Sequence, residues 1–293
     1  MTASFAYPPV GFGPGSMLPE NEEGLQYLAM PSGVHVYAAH TPEIDDPARV
    51  QPAIGLLEQV RDVARAWTPG HSTIIKRTGL DAASQAVFDD ALGEGEVSIV
   101  LEDAAGRIAV QESVFAGVWS MRARTRAAGA DGEVREQVEI AAFPRVILSR
   151  AFPAHGPEID MADHITPGVV NAPAVLTELL NHAARWRPGA RAHVVNLSLL
   201  PHTPEDLDLI ARVLGRGYAT ILSRGYGNCR IEATGTPHVW RVRYYNSMDT
   251  LILDTIEVTD VPEVACAARE DIADSATRLA EICAALSAVE PAA

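Results

Sequence analysis

Cysteine is scarce in this chain. Only Cys229, Cys266 and Cys283 occur in 293 residues, and none forms a CxxC pair. That usage argues against a cysteine zinc site or a disulfide framework and fits a reducing cytoplasm. Long apolar runs are missing too: none approaches the roughly 20 residues that a membrane helix needs. The N-terminus has no basic segment leading into an apolar core, so no secretory signal is expected. Positive charge is in short supply, with 23 Lys and Arg against 38 Asp and Glu for a net charge of −15. That balance disfavours binding to a phosphate backbone and leaves basic or neutral partners open, although solubility alone is the simpler use of the acidity. Catalytic signatures are lacking as well. There is no GxSxG elbow, HExxH helix, Walker loop or EF-hand spacing. The nine histidines are scattered without ligand-like spacing. Neither an enzyme nor a resident cofactor or metal is expected.

What the chain does have is one pattern written twice. Trp67-Thr68-Pro69-Gly70 returns as Trp186-Arg187-Pro188-Gly189, and Leu92-Gly93-Glu94-Gly95 as Leu214-Gly215-Arg216-Gly217. Val118-Trp119-Ser120-Met121-Arg122 returns as Val239-Trp240-Arg241-Val242-Arg243, and Glu139-Ile140 with Phe143-Pro144 as Glu257-Val258 with Val261-Pro262. The landmarks keep their order at about 120 residues apart, far beyond the roughly 20–50-residue period of a solenoid. A duplicated α+β domain is the reading.

Each repeat opens on a helical stripe, Leu56, Val60, Val63 and Trp67 in one and Val175, Leu179, His182 and Trp186 in the other. His182 is expected to be a hydrogen-bonded, half-buried histidine. A β-rich stretch follows, Thr73-Ile74-Ile75 or His193-Val194-Val195, and then a short helix near Ala82 to Leu92 or Pro204 to Leu214. Thr203 before Pro204 is a natural N-cap, and Gly93 and Gly215 fall where a left-handed helix stop belongs. Strands are predicted over 96–102, 107–115, 118–125 and 134–142, mirrored by 218–223, 228–234, 238–245 and 250–258. A helix before a strand meander implies α+β with a largely antiparallel sheet.

Around the repeats the expected organisation is an extended arm over residues 1–50, a first repeat over 51–150, a linker over 151–170 and a second repeat over 171–293. The arm is broken by Pro and Gly and holds two short strand-like segments, Tyr27–Met30 and Val34–Tyr37. Its acidic groups Glu20, Glu22, Glu23, Glu43, Asp45 and Asp46 face a single Arg49. The chain closes on a helix, Asp271 to Val289, whose Ile272, Ala276, Leu279, Cys283 and Leu286 form an a/d-like stripe. Packing against the body is its expected use, with self-association the alternative.

Candidate surfaces lie where the repeats differ. Glu94-Gly95-Glu96 faces Arg216-Gly217-Tyr218, most simply as a solvated turn. Gly215, Gly217, Gly225 and Gly227 are split by a strand and read as turn glycines rather than a nucleotide loop. Cys229 lies between Arg224 and Arg230, and cationic neighbours depress a thiol pKa, yet an inert cysteine is the simpler expectation. The residues singled out for partner binding are Glu20, Glu22, Glu23, Tyr27, Glu94, Glu96, Arg224, Tyr226, Asn228 and Cys229.

A family resemblance then emerges from Pro9-Val10-Gly11-Phe12-Gly13-Pro14-Gly15-Ser16, Tyr27-Leu28-Ala29-Met30-Pro31-Ser32-Gly33 and Leu92-Gly93-Glu94-Gly95-Glu96-Val97-Ser98. It continues through Arg224-Gly225-Tyr226-Gly227-Asn228-Cys229-Arg230 to Val239-Trp240-Arg241-Val242-Arg243, and through Ser247-Met248-Asp249-Thr250-Leu251-Ile252-Leu253-Asp254-Thr255, Pro262-Glu263-Val264 and Glu270-Asp271-Ile272-Ala273-Asp274-Ser275. These phrases resemble the HupH/HyaF family of hydrogenase expression proteins. The resemblance implies a non-catalytic chaperone for a membrane-associated uptake NiFe hydrogenase. Its partner would be the iron–sulfur small-subunit precursor, held with its twin-arginine signal before export, often beside a thioredoxin-like companion chaperone. No cofactor is implied, nor nucleic acid or membrane insertion, and a homodimer stays open. The competing class is a transient carrier of an iron–sulfur cluster or metal for the same subunit, against which three unclustered cysteines count.

Overall fold

The computed structural model describes residues 41–42, 44, 48–126, 132–225 and 228–288. Within them the chain runs α1 (Gln51–Ala66), β1 (Thr73–Lys76), α2 (Ala82–Leu92), β2 (Val97–Asp103), β3 (Gly106–Glu112), β4 (Val118–Thr125), β5 (Val134–Ile140) and α3 (Arg145–Arg150). It continues with α4 (Ala172–Arg185), β6 (His193–Asn196), α5 (Pro204–Leu214), β7 (Ala219–Ser223), β8 (Asn228–Ala233), β9 (Val239–Tyr245), β10 (Leu251–Val258) and α6 (Arg269–Ser287). All ten strands form one antiparallel sheet in the order β1-β5-β4-β3-β2-β7-β8-β9-β10-β6. Read inward from either edge, each five-strand half has the same succession. The halves meet where β2 pairs with β7, Ile99 opposite Ile221 and Val97 opposite Ser223.

Local chemistry explains the elements. Pro lies in the first turn of α1, α4 and α5, where its missing N–H costs nothing. Asp81 caps α2 through Ser84 N, and Thr203 with Asp206 forms a capping box on α5. Gly93 (φ 55°) and Gly215 (φ 66°) close α2 and α5 in the backbone region that L side chains resist. Among the described residues, the helices and strands expected of the two repeats are present, with ends moved by a few residues.

Period-two alternation gives the sheet two unlike faces. On one, Ile99, Leu101, Ile108, Val110, Trp119, Met121, Ile221, Ile231, Trp240 and Val242 form a single buried core. The segment around α3 lies over this core. Phe143 meets Trp119 edge-on at 6.0 Å, and Phe152 meets Trp240 edge-on at 4.9 Å. Both indoles have one role: Trp119 Nε1 donates to Ala141 O and Trp240 Nε1 to Asp260 O. The other face is covered towards its ends, by α1, α2 and α6 over Val118, Val138 and Ile140, and by α4 and α5 over Val239, Ile256 and Val258. Its middle strands carry exposed or half-buried side chains such as Ala109, Thr220, Leu222 and Arg230.

Several expectations change. The a/d stripe of the last helix is buried as foreseen, but the surface it meets belongs to the first half, Ile54, Leu57 and Val60 of α1. After β5 the first repeat adds a helix, α3, for which no expectation was made, and the stretch expected as a linker holds a 3-10 turn at Met161–His164. Ala151 O at its start accepts a hydrogen bond from Tyr218 N at 2.7 Å. His182 is exposed rather than half-buried. It stacks on His193 with ring centroids 3.5 Å apart, because the last turn of α4 overhangs the edge strand β6 instead of the core. The arm's strand-like segments fall outside the described residues. Among the described residues no helix is long and apolar enough to cross a membrane.

Candidate functional site

The central pairing of β2 with β7 brings together residues that are far apart in sequence. Arg224 N donates to Glu96 O at 3.1 Å just beyond the paired strands. The Glu96 carboxylate lies close to Gly225: a Cβ there would stand 1.9 Å from Oε2, so any larger residue would have to displace the exposed end of the Glu96 side chain. Glu94 is also exposed, but it belongs to the turn whose Gly95 N donates to Glu112 O. On the open face of β7 and β8, Leu222, Ser223, Arg224, Asn228, Cys229, Arg230, Tyr245 and Asp249 line a groove of about 500 Å³. Asn228 and Tyr245 stand opposite each other in register at its end. Of the expected candidates, the structure thus gathers Glu96, Arg224, Asn228 and Cys229. Glu20, Glu22, Glu23, Tyr27 and Tyr226 lie outside the described residues.

Cys229 is not a primed nucleophile. Strand alternation points its side chain into the buried face, where it is 3% exposed, while Arg230 points to the open side. Burial pushes its thiol pKa up to about 11, against a smaller opposing effect of its hydrogen bond with Tyr244. Proximity in sequence to Arg224 and Arg230 therefore confers no activation. Cys266 and Cys283 are also raised, chiefly by burial. Among the described residues no three His, Cys, Asp or Glu side chains gather as a metal site.

A second groove was missed from sequence. Residues from the end of α5 and from β7, β8 and β9, among them Arg212, Arg216, Thr220, Arg230, Glu232 and Arg241, line a space of about 440 Å³. Arg241 makes a two-pronged pair with Asp254, at 3.0 and 2.6 Å. Arg230 reaches Glu232 at 2.8 Å, and Arg243 pairs with the same carboxylate. The four arginines of the lining come from a helix, a turn and two strands and show no motif. Only pairing of β8 with β9 beneath α5 unites them.

One buried carboxylate lies near the seam on the core side. Glu112 is 8% exposed and accepts from Gly117 N at 3.2 Å. Burial, with a lesser push from Glu96, raises its pKa to about 7.

Comparison with known proteins identifies what the sequence is similar to. The family described as "HupH hydrogenase expression protein, C-terminal conserved region" matches residues 50–153 and 169–286. The chain is 50% identical over 282 residues to the hydrogenase expression/formation protein HupH of Rhodobacter capsulatus, covering 96% of this chain and 98% of that one. It is 30% identical over 258 residues to the hydrogenase-1 operon protein HyaF of Escherichia coli, covering 86% and 85%. A solved structure of the hydrogenase expression protein HupH from Thiobacillus denitrificans shares 30% identity, covering 38% of this chain and 92% of its own, with a TM-score of 0.36.

Proposed function

The chain belongs to the HupH family of hydrogenase expression proteins, and from that premise we propose that it is a non-catalytic chaperone in the maturation of a membrane-associated uptake NiFe hydrogenase. Its partner in this reading is the iron–sulfur small-subunit precursor, captured in the cytoplasm with its twin-arginine signal before export. A thioredoxin-like companion chaperone acts beside it. The observation that carries the reading is the 50% identity over 96% of the chain to a protein named for hydrogenase expression and formation. The open groove at Arg224 and Asn228 supports it, as a surface outside the packed core that a polypeptide can reach.

The shared strand succession supports a further element of the reading, that the two halves are copies of one unit. Gly117 (φ 77°) and His238 (φ 65°) hold the same unusual backbone position ahead of β4 and β9. Their carbonyls accept from Ala141 N and Thr259 N at 3.0 and 2.9 Å. Copies diverge first where the fold does not constrain them, which supports reading the open face as the partner-binding surface.

A twin-arginine signal is basic and then apolar, so the acidic residues Glu20, Glu22 and Glu23 beside Leu25, Tyr27, Leu28 and Met30 supply complementary chemistry. Full-length protein is expected to retain the precursor small subunit on co-purification, and to retain less of it when the signal is removed. Deleting residues 1–24 is expected to lower affinity and flatten its salt dependence, because exposed charges are screened within about 8 Å at physiological ionic strength. No retention of the precursor would overturn the partner. Unchanged affinity and salt slope after truncation would remove the arm from the capture site.

A further inference from the structure

The basic groove beneath α5 contradicts the charge of the rest of the molecule. In a chain of net charge −15, Arg212, Arg216, Arg230 and Arg241 share one lining in which Glu232 is the single carboxylate. Arg230 and Arg241 hold Glu232 and Asp254, whereas Arg212 and Arg216 make no ion pair among the described residues. Two exposed guanidinium groups of the lining are therefore without an ion-pair partner among the described residues, beside two that have one.

The other half shows that the fold does not need them. Leu92 and Leu214 each end the second helix of their half, so Asp90 and Glu94 stand where Arg212 and Arg216 stand. Register extends the match, since Glu112 faces Trp119 as Ala233 faces Trp240. Arg230 then corresponds to Ala109, and Arg241 to Ser120. One half presents two carboxylates, an alanine and a serine, and the other presents four arginines. A purely structural role would not demand such a reversal on matching backbones.

Shape separates the ligand classes. Arg230 lines both this groove and the one at Arg224 and Asn228, so the two run together along the open face of β8. A six-residue strand at about 3.3 Å per residue makes that path roughly 20 Å long. A small anion would fill one end of it. An extended polypeptide fills the whole, with Leu222 and Tyr245 as apolar surface between the charges. Guanidinium forks match carboxylates in two-pronged geometry and keep their charge at any working pH.

We infer that this groove binds an extended acidic segment of a partner polypeptide, carrying carboxylates at alternate positions, along β8 of the second half. The inference goes beyond the function proposed above, because it names a chemistry opposite to that of a basic signal peptide and does not require the hydrogenase subunit. Its test uses full-length protein and a fluorescein-labelled peptide of alternating Glu and Thr, with an alternating Lys and Thr peptide for comparison, read by anisotropy. The acidic peptide is expected to bind saturably at one per chain and the basic one not at this site. Arg212→Asp with Arg216→Glu, which gives the second half the charges of the first, is expected to weaken binding at least about tenfold. Arg191→Glu, on an exposed turn elsewhere, is expected to leave it unchanged. If the double variant does not fold, judged by circular dichroism, Arg216→Gln alone carries the test, with a smaller loss in the same direction. No binding of the acidic peptide at about 1 mM, a weak limit in affinity terms, would overturn the inference. So would undiminished binding by the variants, or full displacement by inorganic pyrophosphate, which would assign the groove to a small anion. Because the hydrogenase precursor takes no part, a negative result here leaves the capture experiment standing, and the reverse holds as well.

Discussion

The two halves of the sheet agree in what they bury and differ in what they show. Both place a fully buried tryptophan second in the fourth strand, both tie its indole to a carbonyl beyond the last strand, and both close their second helix on a glycine of positive φ. On the open face the agreement ends, with Asp90, Glu94, Ala109 and Ser120 in one half against Arg212, Arg216, Arg230 and Arg241 in the other. A packed interior tolerates few changes of volume, whereas solvated positions are nearly free to change charge. Shared positions therefore report on the fold, and divergent ones are where a binding specificity can be written.

The largest effect should come from the shared tryptophans. Trp119→Ala and Trp240→Ala are each expected to cost roughly 3–5 kcal/mol by denaturant unfolding, since each empties a fully buried site. Similar losses are what the matched environments require. A near-neutral result at either position would break the comparison.

Glu112 sharpens it, because its counterpart is Ala233. Its folded pKa of about 7 lies above the ordinary 4.5, so the contribution of this group is fully present below pH 4.5 and is lost as pH rises through 7. Glu112→Gln should keep the acceptor for Gly117 N and stabilise the protein at pH 8, on the order of 3 kcal/mol. It should also flatten stability between pH 5 and 8, as measured by urea titration at each pH. A wild-type profile already flat over that range would show that Glu112 does not titrate as described.

Asp206 has no counterpart, since Ser84 occupies the matching place in α2. Burial alone would raise its pKa. Hydrogen bonds from Ala172 N, Thr203 N, Val170 N and Asn171 N outweigh that and lower it to about 2. This carboxylate joins the starts of α4 and α5. Its contribution is complete above pH 3.8 and is lost as pH falls towards 2. Asp206→Ala should cost about 2 kcal/mol by leaving buried donors without an acceptor, and should weaken the acid dependence of unfolding. Amide exchange localised to the α4 start would identify the mechanism.

The smallest effect on stability belongs to Arg224. It is exposed, and its backbone rather than its side chain holds Glu96. Arg224→Glu is expected to shift the melting temperature by no more than about 1 °C, as for most surface substitutions, while weakening precursor capture. A large loss of stability would move the residue from the binding surface into the fold.

Much of this was legible in the sequence. The matched landmarks, the capping box at Thr203 and the alternating strands describe local chemistry, which periodicity and turn residues report directly. The pairing of β2 with β7 was not legible, because it joins elements over 100 residues apart, and no local preference encodes a strand neighbour so distant. The same holds for α6 crossing to α1, since its stripe declares a buried face without naming what it meets. At the site, Glu96 and the Arg224 loop were each noticed as divergent turns, but their contact needed the fold. The cationic neighbours of Cys229 leave it inert, the simpler of the two sequence readings, because they are adjacent along the strand and therefore project to the other face or lie beyond the strand end. The arginine groove escaped entirely, since Arg212, Arg216, Arg230 and Arg241 come from a helix, a turn and two strands.

The central claim is that this protein captures a hydrogenase small-subunit precursor, and calorimetric titration of purified full-length protein with that precursor tests it most directly. The account predicts saturable binding of the form carrying its twin-arginine signal, weaker binding once the signal is removed, and a further reduction in Arg224→Glu. Failure of the signal-bearing precursor to bind at all would contradict it.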